Sequence, residues 1–240
     1  MVRGTKIGFG ALERESGAKR QAKEGGFEPH KFQLLGNIGL QGGIIFSSQE
    51  DYDRFEAYLY LLNAVDGPRA SNYFLDGRSH DIFAASRGDQ LVAIGAYSFT
   101  PKRFYILATP LLPNGIAKFM QKLQTAYTMY FNLKYQRDGR IFHGPYTSEA
   151  AQSEKHLKYL LAFTQLHPAI LFDPQWEDAG TGLRRLAYKA TEYRYSSVGE
   201  IARKKFVITA PEYFPKYFQN AKNPDSLVRM WQEGKKAAKK

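Results

Sequence analysis

The sequence contains no cysteine. That excludes disulfides, thiolate zinc sites, iron–sulfur clusters and cysteine nucleophiles together, and it points to a reducing, cytoplasmic setting. Long apolar runs are missing too. None reaches the ~18–20 residues that a bilayer span requires, so no membrane partner is expected. Met1–Gly26 has no apolar core and does not read as a secretory leader. Histidine is scarce: His30, His80, His143, His156 and His167 are all there are, and none forms an H-x-H or H-E-x-x-H pair. His156 and His167 are eleven residues apart on one expected helix. At 1.5 Å per residue that is ~16 Å, too far to share a metal. His80–Asp81 reads as a turn pair. The glycine-rich stretches Lys6–Gly10 and Gly36–Gly43 match neither a P-loop nor G-x-G-x-x-G, and read as turns and bulges.

What the chain does have is positive charge and aromatic surface. Its 240 residues carry 34 Lys+Arg against 23 Asp+Glu, a net charge of +11, and 15% of them are aromatic. A basic chain rich in rings suits a polyanion with stackable bases. An enzyme that merely has a high pI is the plainer alternative. The length suffices for one or two domains without a disulfide or metal staple, and 43% hydrophobic residues argue against wholesale disorder.

The organisation reads as three parts. Residues 1–30 form a basic flexible arm without hydrophobic periodicity. Residues 31–200 form an α+β domain. Residues 201–240 form a basic C-terminal extension, in which 202–240 hold ten Lys/Arg against three Asp/Glu. Lys31–Leu40 reads as a strand with Gly36 and Gly39 as bulge points. Ser47 and Glu50 fit a capping box, opening a helix to about Val65 with Tyr52, Phe55, Tyr58, Leu59 and Leu62 inward. Asp66–Asp89 is a loop. Leu91–Phe99 is apolar on both faces, as a central strand is, and Arg103–Thr109 returns antiparallel to it. Pro113–Tyr135 is a long amphipathic helix, with Lys118, Gln121, Lys122 and Thr125 off its apolar stripe. Gln136–Arg140 is a basic turn, Ile141–Ala151 holds a short strand, and Ser153–His167 is a helix ended by Pro168. Strand–helix–strand–strand–helix–strand–helix fits a ferredoxin-like antiparallel sheet with helices on one face. The aromatic run Tyr213–Phe218 suits base stacking or, more simply, a core.

Several segments in order resemble the REP-associated branch of single-tyrosine transposases, the small HUH-type enzymes of insertion sequences. They are Phe46–Phe55 (FSSQEDYDRF), Tyr97–Pro110 (YSFTPKRFYILATP), Gly115–Tyr135 (GIAKFMQKLQTAYTMYFNLKY), Arg137–Tyr146 (RDGRIFHGPY), Leu160–Pro168 (LLAFTQLHP) and Tyr195–Ser197 (YSS). The resemblance covers about Lys31–Ser197. It implies a strand-borne His pair that holds magnesium or manganese on the scissile phosphate of single-stranded DNA, and a late-helix Tyr that forms a 5′-phosphotyrosine.

The chain departs from that pattern where the chemistry sits. The positions that the resemblance assigns to the metal-binding histidines hold Arg103 and Tyr105, and the nucleophile position holds Phe163. His167 falls four residues beyond, where the family has a residue near the metal. Pro145 and Thr147 replace basic residues. Tyr159, one turn before Phe163, is a candidate substitute nucleophile. The expectation is therefore a catalytically inactive scaffold with no cofactor, in which an Arg grips phosphate directly. Arg103, Lys118, Lys122, Arg137, Arg140, Lys204 and Lys205 are its candidate nucleic-acid contacts. The partner is single-stranded or hairpin DNA, or structured RNA, and the protein is a monomer or homodimer. Two rival readings stay open: an active transposase or nickase with a non-standard site, and a structural ribonucleoprotein component.

Overall fold

The computed structural model describes residues 31–67, 73, 74 and 79–238. The arm expected over residues 1–30 lies outside them. Four strands form one sheet: β1 (Gln33–Ile38), β2 (Val92–Thr100), β3 (Arg103–Pro110) and β4 (Thr147–Ala150). Their order is β2-β3-β1-β4, with every neighbouring pair antiparallel. The helix α1 (Gln49–Leu61) links β1 to β2, and α2 (Gly115–Lys134) links β3 to β4. This is the α+β, ferredoxin-like arrangement that the element order implies.

Composition decides how the sheet is covered. All nine residues of β2 are buried. Val92, Ile94, Tyr97 and Phe99 enter the core beneath α1 and α2, while Ala93 and Ala96 enter a second core on the opposite face. Helices on one face alone would leave that second surface in water. The structure corrects the one-face expectation by adding α3 (Glu154–Leu166), α4 (Leu183–Thr191), the short α5 (Val198–Arg203) and α6 (Pro224–Ala238). Leu157, Leu160 and Leu161 of α3, Leu186 of α4 and Trp231 of α6 fill the second core. Ile201, Ala221, Leu227 and Trp231 thus build the basic C-terminal segment into that core. Phe214 and Phe218, from the aromatic run, pack there too. Among the described residues no helix is long and apolar enough to cross a membrane.

Two glycines admit large neighbours. A Cβ on Gly95 would lie 2.7 Å from the Phe214 ring, and the β2–β3 register shifts between Ile94 and Ala96. A Cβ on Gly36 would meet Tyr105 at 2.7 Å. The bulge expected at Gly36 is absent from the β1–β3 ladder, which keeps register from Gln33 to Ile38, while Gly39 lies just past it and bridges Phe142. Gly36 serves close approach instead.

The open edge of β2 is closed by the chain itself. Phe99 N–H donates to Tyr195 O and Ser197 N–H to Tyr97 O, while Tyr97 N–H donates to Ser197 Oγ. Further along, Ala210 N–H donates to Ile94 O. The loop that returns to this edge is held by Glu200, whose carboxylate accepts from the N–H groups of Val207, Ile208 and Thr209 and from the Thr209 hydroxyl.

The start of α1 is tied to the end of α2 through one buried carboxylate. The cap falls one residue later than expected, at Ser48 and Asp51 rather than Ser47 and Glu50. Asp51 is fully buried. It accepts from Ser47 N–H (2.7 Å), Ser48 N–H (2.9 Å), Tyr130 OH (2.9 Å), Tyr135 OH (2.8 Å) and Lys134 Nζ (2.8 Å). Burial alone would raise its pKa, but the donors from Lys134, Tyr135, Ser47 and Tyr130 outweigh it and hold the carboxyl below its usual value. Asp51→Asn should cost about 3 kcal/mol, because it leaves a charged donor facing an amide. Urea unfolding of both proteins checks this. A lowered folded pKa contributes stability that is present above the unfolded value, here 3.8, and lost as pH falls through the folded one. The gap between native protein and variant should therefore narrow below about pH 4.

Candidate nucleic-acid interface

The positions that the resemblance singles out meet on the second face of the sheet. Alternation along β3 sends Phe104, Ile106 and Ala108 into the first core and turns Arg103, Tyr105 and Leu107 the other way. The end of α3 brings Phe163 and His167 to the same place. The Tyr105 ring lies 4.9 Å from Phe163 and 4.7 Å from His167 between centroids, both edge-on.

His167 is 2% exposed, and neither ring nitrogen has a hydrogen-bond partner among the described residues. Burial pulls its pKa down to about 3, and the charge of Arg103 adds to that. The imidazole is therefore neutral at any physiological pH. Ser98, opposite Tyr105 in the ladder, has an unpartnered Oγ, and Gln165 has an unpartnered Oε1. Gln165 Nε2 donates to Ser197 Oγ (2.9 Å), so the Tyr195–Ser197 motif supports this cluster from the β2 edge.

Phe163 is held by rings. Trp231 of α6 stacks near it at 6.0 Å and Trp176 lies at 6.1 Å. Tyr159 stacks on Trp231 at 4.7 Å and 15°, and burial, with lesser contributions from Glu177 and Glu149, pushes its hydroxyl up to about 12. A hydroxyl so placed is a poorer nucleophile than a free tyrosine. Gly234 packs against Tyr159, and Lys235 reaches Asp178 (2.7 Å). The helix that covers this cluster is thus anchored along its length.

A divalent metal does not fit these residues. Arg103 is a cation with no lone pair to offer, and its charge opposes a second cation beside His167. Among the described residues no group of three or more His, Asp or Glu side chains converges as a metal site.

The candidate basic residues divide into separate places. Arg103 closes the β2–β3 turn beside exposed Lys102. Gly39 N–H donates to Lys102 O, Leu40 N–H to Ile141 O and His143 N–H to Ile38 O, so the segment that begins with Arg140 shares that end of the sheet. Arg137, just before it, lies 5.6 Å from the Phe131 ring and lines a groove of about 880 Å³ with Arg54, Met129, Tyr130 and Leu133. Lys118 is exposed, but Lys134 at the other end of the same helix is ~24 Å away by helical rise. Lys122 is engaged: its Nζ donates to Ala64 O, and burial lowers its pKa. Lys204 ends α5 in the left-handed region at φ 51°, and Lys205 lines a different cavity. Lys102, Ser98, Gln165 and Trp231 escaped sequence reasoning. Only Trp231 left a trace there: Leu227, Trp231 and Gly234 repeat at helical spacing.

No protein-family model matches the chain, and no curated protein matches it. Among solved structures, the chain is similar to a REP-associated tyrosine transposase bound to a REP hairpin, at 10% identity and a TM-score of 0.46, over 81% of this chain and 90% of that one.

The state of His167 is open to measurement. Its folded pKa is depressed, so the unfolded chain takes up a proton below about pH 6.5 that the folded chain refuses until about pH 3. Stability is full above that window and falls within it as pH drops, by at most about 1.4 kcal/mol per unit. His167→Phe removes the proton uptake. Its stability relative to the native protein should rise between pH 7 and pH 4 in urea unfolding. A constant difference would mean that His167 protonates in the fold.

Proposed function

We propose that this chain binds single-stranded or hairpin nucleic acid and does not cut it. One observation carries the reading. Arg103 acts electrostatically on a neutral, buried His167, and Tyr105, two residues on, packs against that imidazole and against Phe163, which has no hydroxyl; these are positions where the sequence resemblance calls for metal ligands and a nucleophile. A guanidinium there supplies fixed positive charge for a phosphate without a metal. Lys102 and Arg140 extend that charge along one end of the sheet, and the net charge of +11 favours a polyanion in general.

The chemistry that remains is binding. Arg103 orients a phosphate through two parallel N–H donors. Tyr105 is held edge-on against Phe163 and His167 on the same strand face as Arg103. Phe163 offers no hydroxyl where the resemblance calls for the nucleophile, and Tyr105, the phenol that remains in the cluster, occupies a metal-ligand position instead.

Affinity for a hairpin oligonucleotide should fall steeply with salt. If ~4–6 phosphates are neutralised, log affinity against log salt should slope about −3 to −5. Arg103→Glu should weaken binding by about tenfold or more. Incubation of the native protein with single-stranded hairpin DNA and magnesium or manganese should give neither nicks nor a covalent adduct, and Phe163→Tyr should not change that. A flat salt response removes the binding reading. An adduct on the native protein, mapped for instance to Tyr159, removes the non-cleaving one.

A further inference from the structure

A second pocket lies outside the Tyr105 cluster, where α1, the edge of β2 and the residues around α5 meet. It encloses about 610 Å³, within the range of small-molecule sites, and its lining includes Glu56, Phe83, Tyr97, Arg194, Arg203 and Lys205. Its charged groups differ in how far they are already used. Glu200 is spent on the 207–209 loop, and Arg194 is paired with Asp53 at 3.1 Å. Glu56 receives one hydrogen bond, from Tyr97 OH at 3.2 Å, and makes no ion pair among the described residues. Arg203 and Lys205 make none there either. Phe83 is 44% exposed, with its ring set edge-on against Tyr60. The pocket therefore offers a carboxylate wall, an open aromatic face and two uncommitted cations.

We propose that this pocket binds a guanine nucleotide unit, with the base edge on Glu56, the base plane on Phe83 and the phosphate on Arg203 and Lys205. The pattern of donors selects the base. Guanine presents N1–H and its N2 amino group side by side, and a carboxylate accepts both. Adenine and cytosine set an acceptor beside their amino donor, and uracil and thymine flank one N–H with two carbonyls, so each brings a lone pair against Glu56. A carboxylate has about four lone-pair directions, so the Tyr97 bond leaves room for two more. Ring stacking is sequence-tolerant and adds affinity, while the paired cations suit a phosphate.

Protonation gives a second signature. Burial holds the Glu56 pKa up at about 7; Asp53 and Glu200 push it further, and Tyr97 and Arg194 pull it down. Only the ionised form accepts twice, so guanine binding should strengthen as pH rises through that value.

Calorimetric titration of the full chain with GMP and AMP at pH 8 and pH 6 tests this. GMP should bind at least about tenfold more tightly than AMP at pH 8, the discrimination typical of a bidentate base contact, and should weaken at pH 6. Glu56→Gln should lose that preference. Arg203→Ala with Lys205→Ala, both on the surface, should weaken GMP by about tenfold and leave guanosine unchanged. This pair keeps the test valid if Glu56→Gln fails to fold. An oligonucleotide with one unpaired guanine that displaces GMP identifies a strand as the source of the unit; failure to displace it identifies the free nucleotide. Equal affinity for GMP and AMP, or GMP affinity untouched by the Arg203 and Lys205 pair, overturns the proposal. Arg103→Glu should leave GMP binding intact, so this outcome is separate from the hairpin result.

Discussion

A sheet whose central strands are apolar on both sides must be covered twice, and much of the molecule follows from that. Exposing the lower face would put Ala93, Ala96, Leu107 and the packed rings of Phe214 and Phe218 into water, at roughly 25 cal/mol for each Å² of apolar surface. The chain answers with α3, α4 and α6. Once α3 lies on that face, its C-terminal turn must end beside Tyr105, and once α6 lies on α3, Trp231 must meet Phe163 and Tyr159. The cluster at the candidate interface is thus a product of core packing. Its polar members are the ones that packing leaves under-used: His167, Ser98 and Gln165.

Electrostatics then sets the protonation state of this cluster. A histidine useful in proton or metal chemistry has lone pairs that are accessible and a pKa near working pH. His167 is walled in by Tyr105 and Phe163 and lies beside Arg103, and both burial and charge drive it neutral. The same Arg103, where the strand ends, has access to solvent on one side. The non-cleaving reading proposed above rests on this neutral imidazole and on Phe163, which has no hydroxyl.

Much of the fold was legible in the sequence because it rests on periodicity. The stripes Tyr52–Phe55–Tyr58–Leu59 and Ile116–Phe119–Met120–Leu123–Tyr127 are buried as their spacing implies, and the doubly apolar strand is β2. The second layer was less legible. Its helices are short or rich in lysine and arginine, so the stripe Leu227–Trp231–Gly234 was masked by charge at Lys235 and Lys236. The α1 cap slid by one residue because Asp51 has five donors and Glu50 faces solvent, a difference that appears only once α2 is in place. At the site, the cluster of Tyr105, Phe163 and His167 came from matching motifs. The separation of the basic residues could not, because charge on a helix says nothing about which end of a sheet it reaches. Glu56 gave no sequence signal at all: its environment is made by Tyr97, Arg194 and Glu200, which are far from it in the chain.

Hydrogen exchange measured with and without a hairpin oligonucleotide tests the central claim most directly, because it reports where the strand lies as well as whether it binds. Amide protection should increase in Thr100–Tyr105 and in Arg140–Gly144, the two segments that share the Arg103 end of the sheet. The α6 helix, anchored through Trp231, should be unchanged. Protection confined to α6 or to the outer face of α2, with no change around Arg103, would contradict the account.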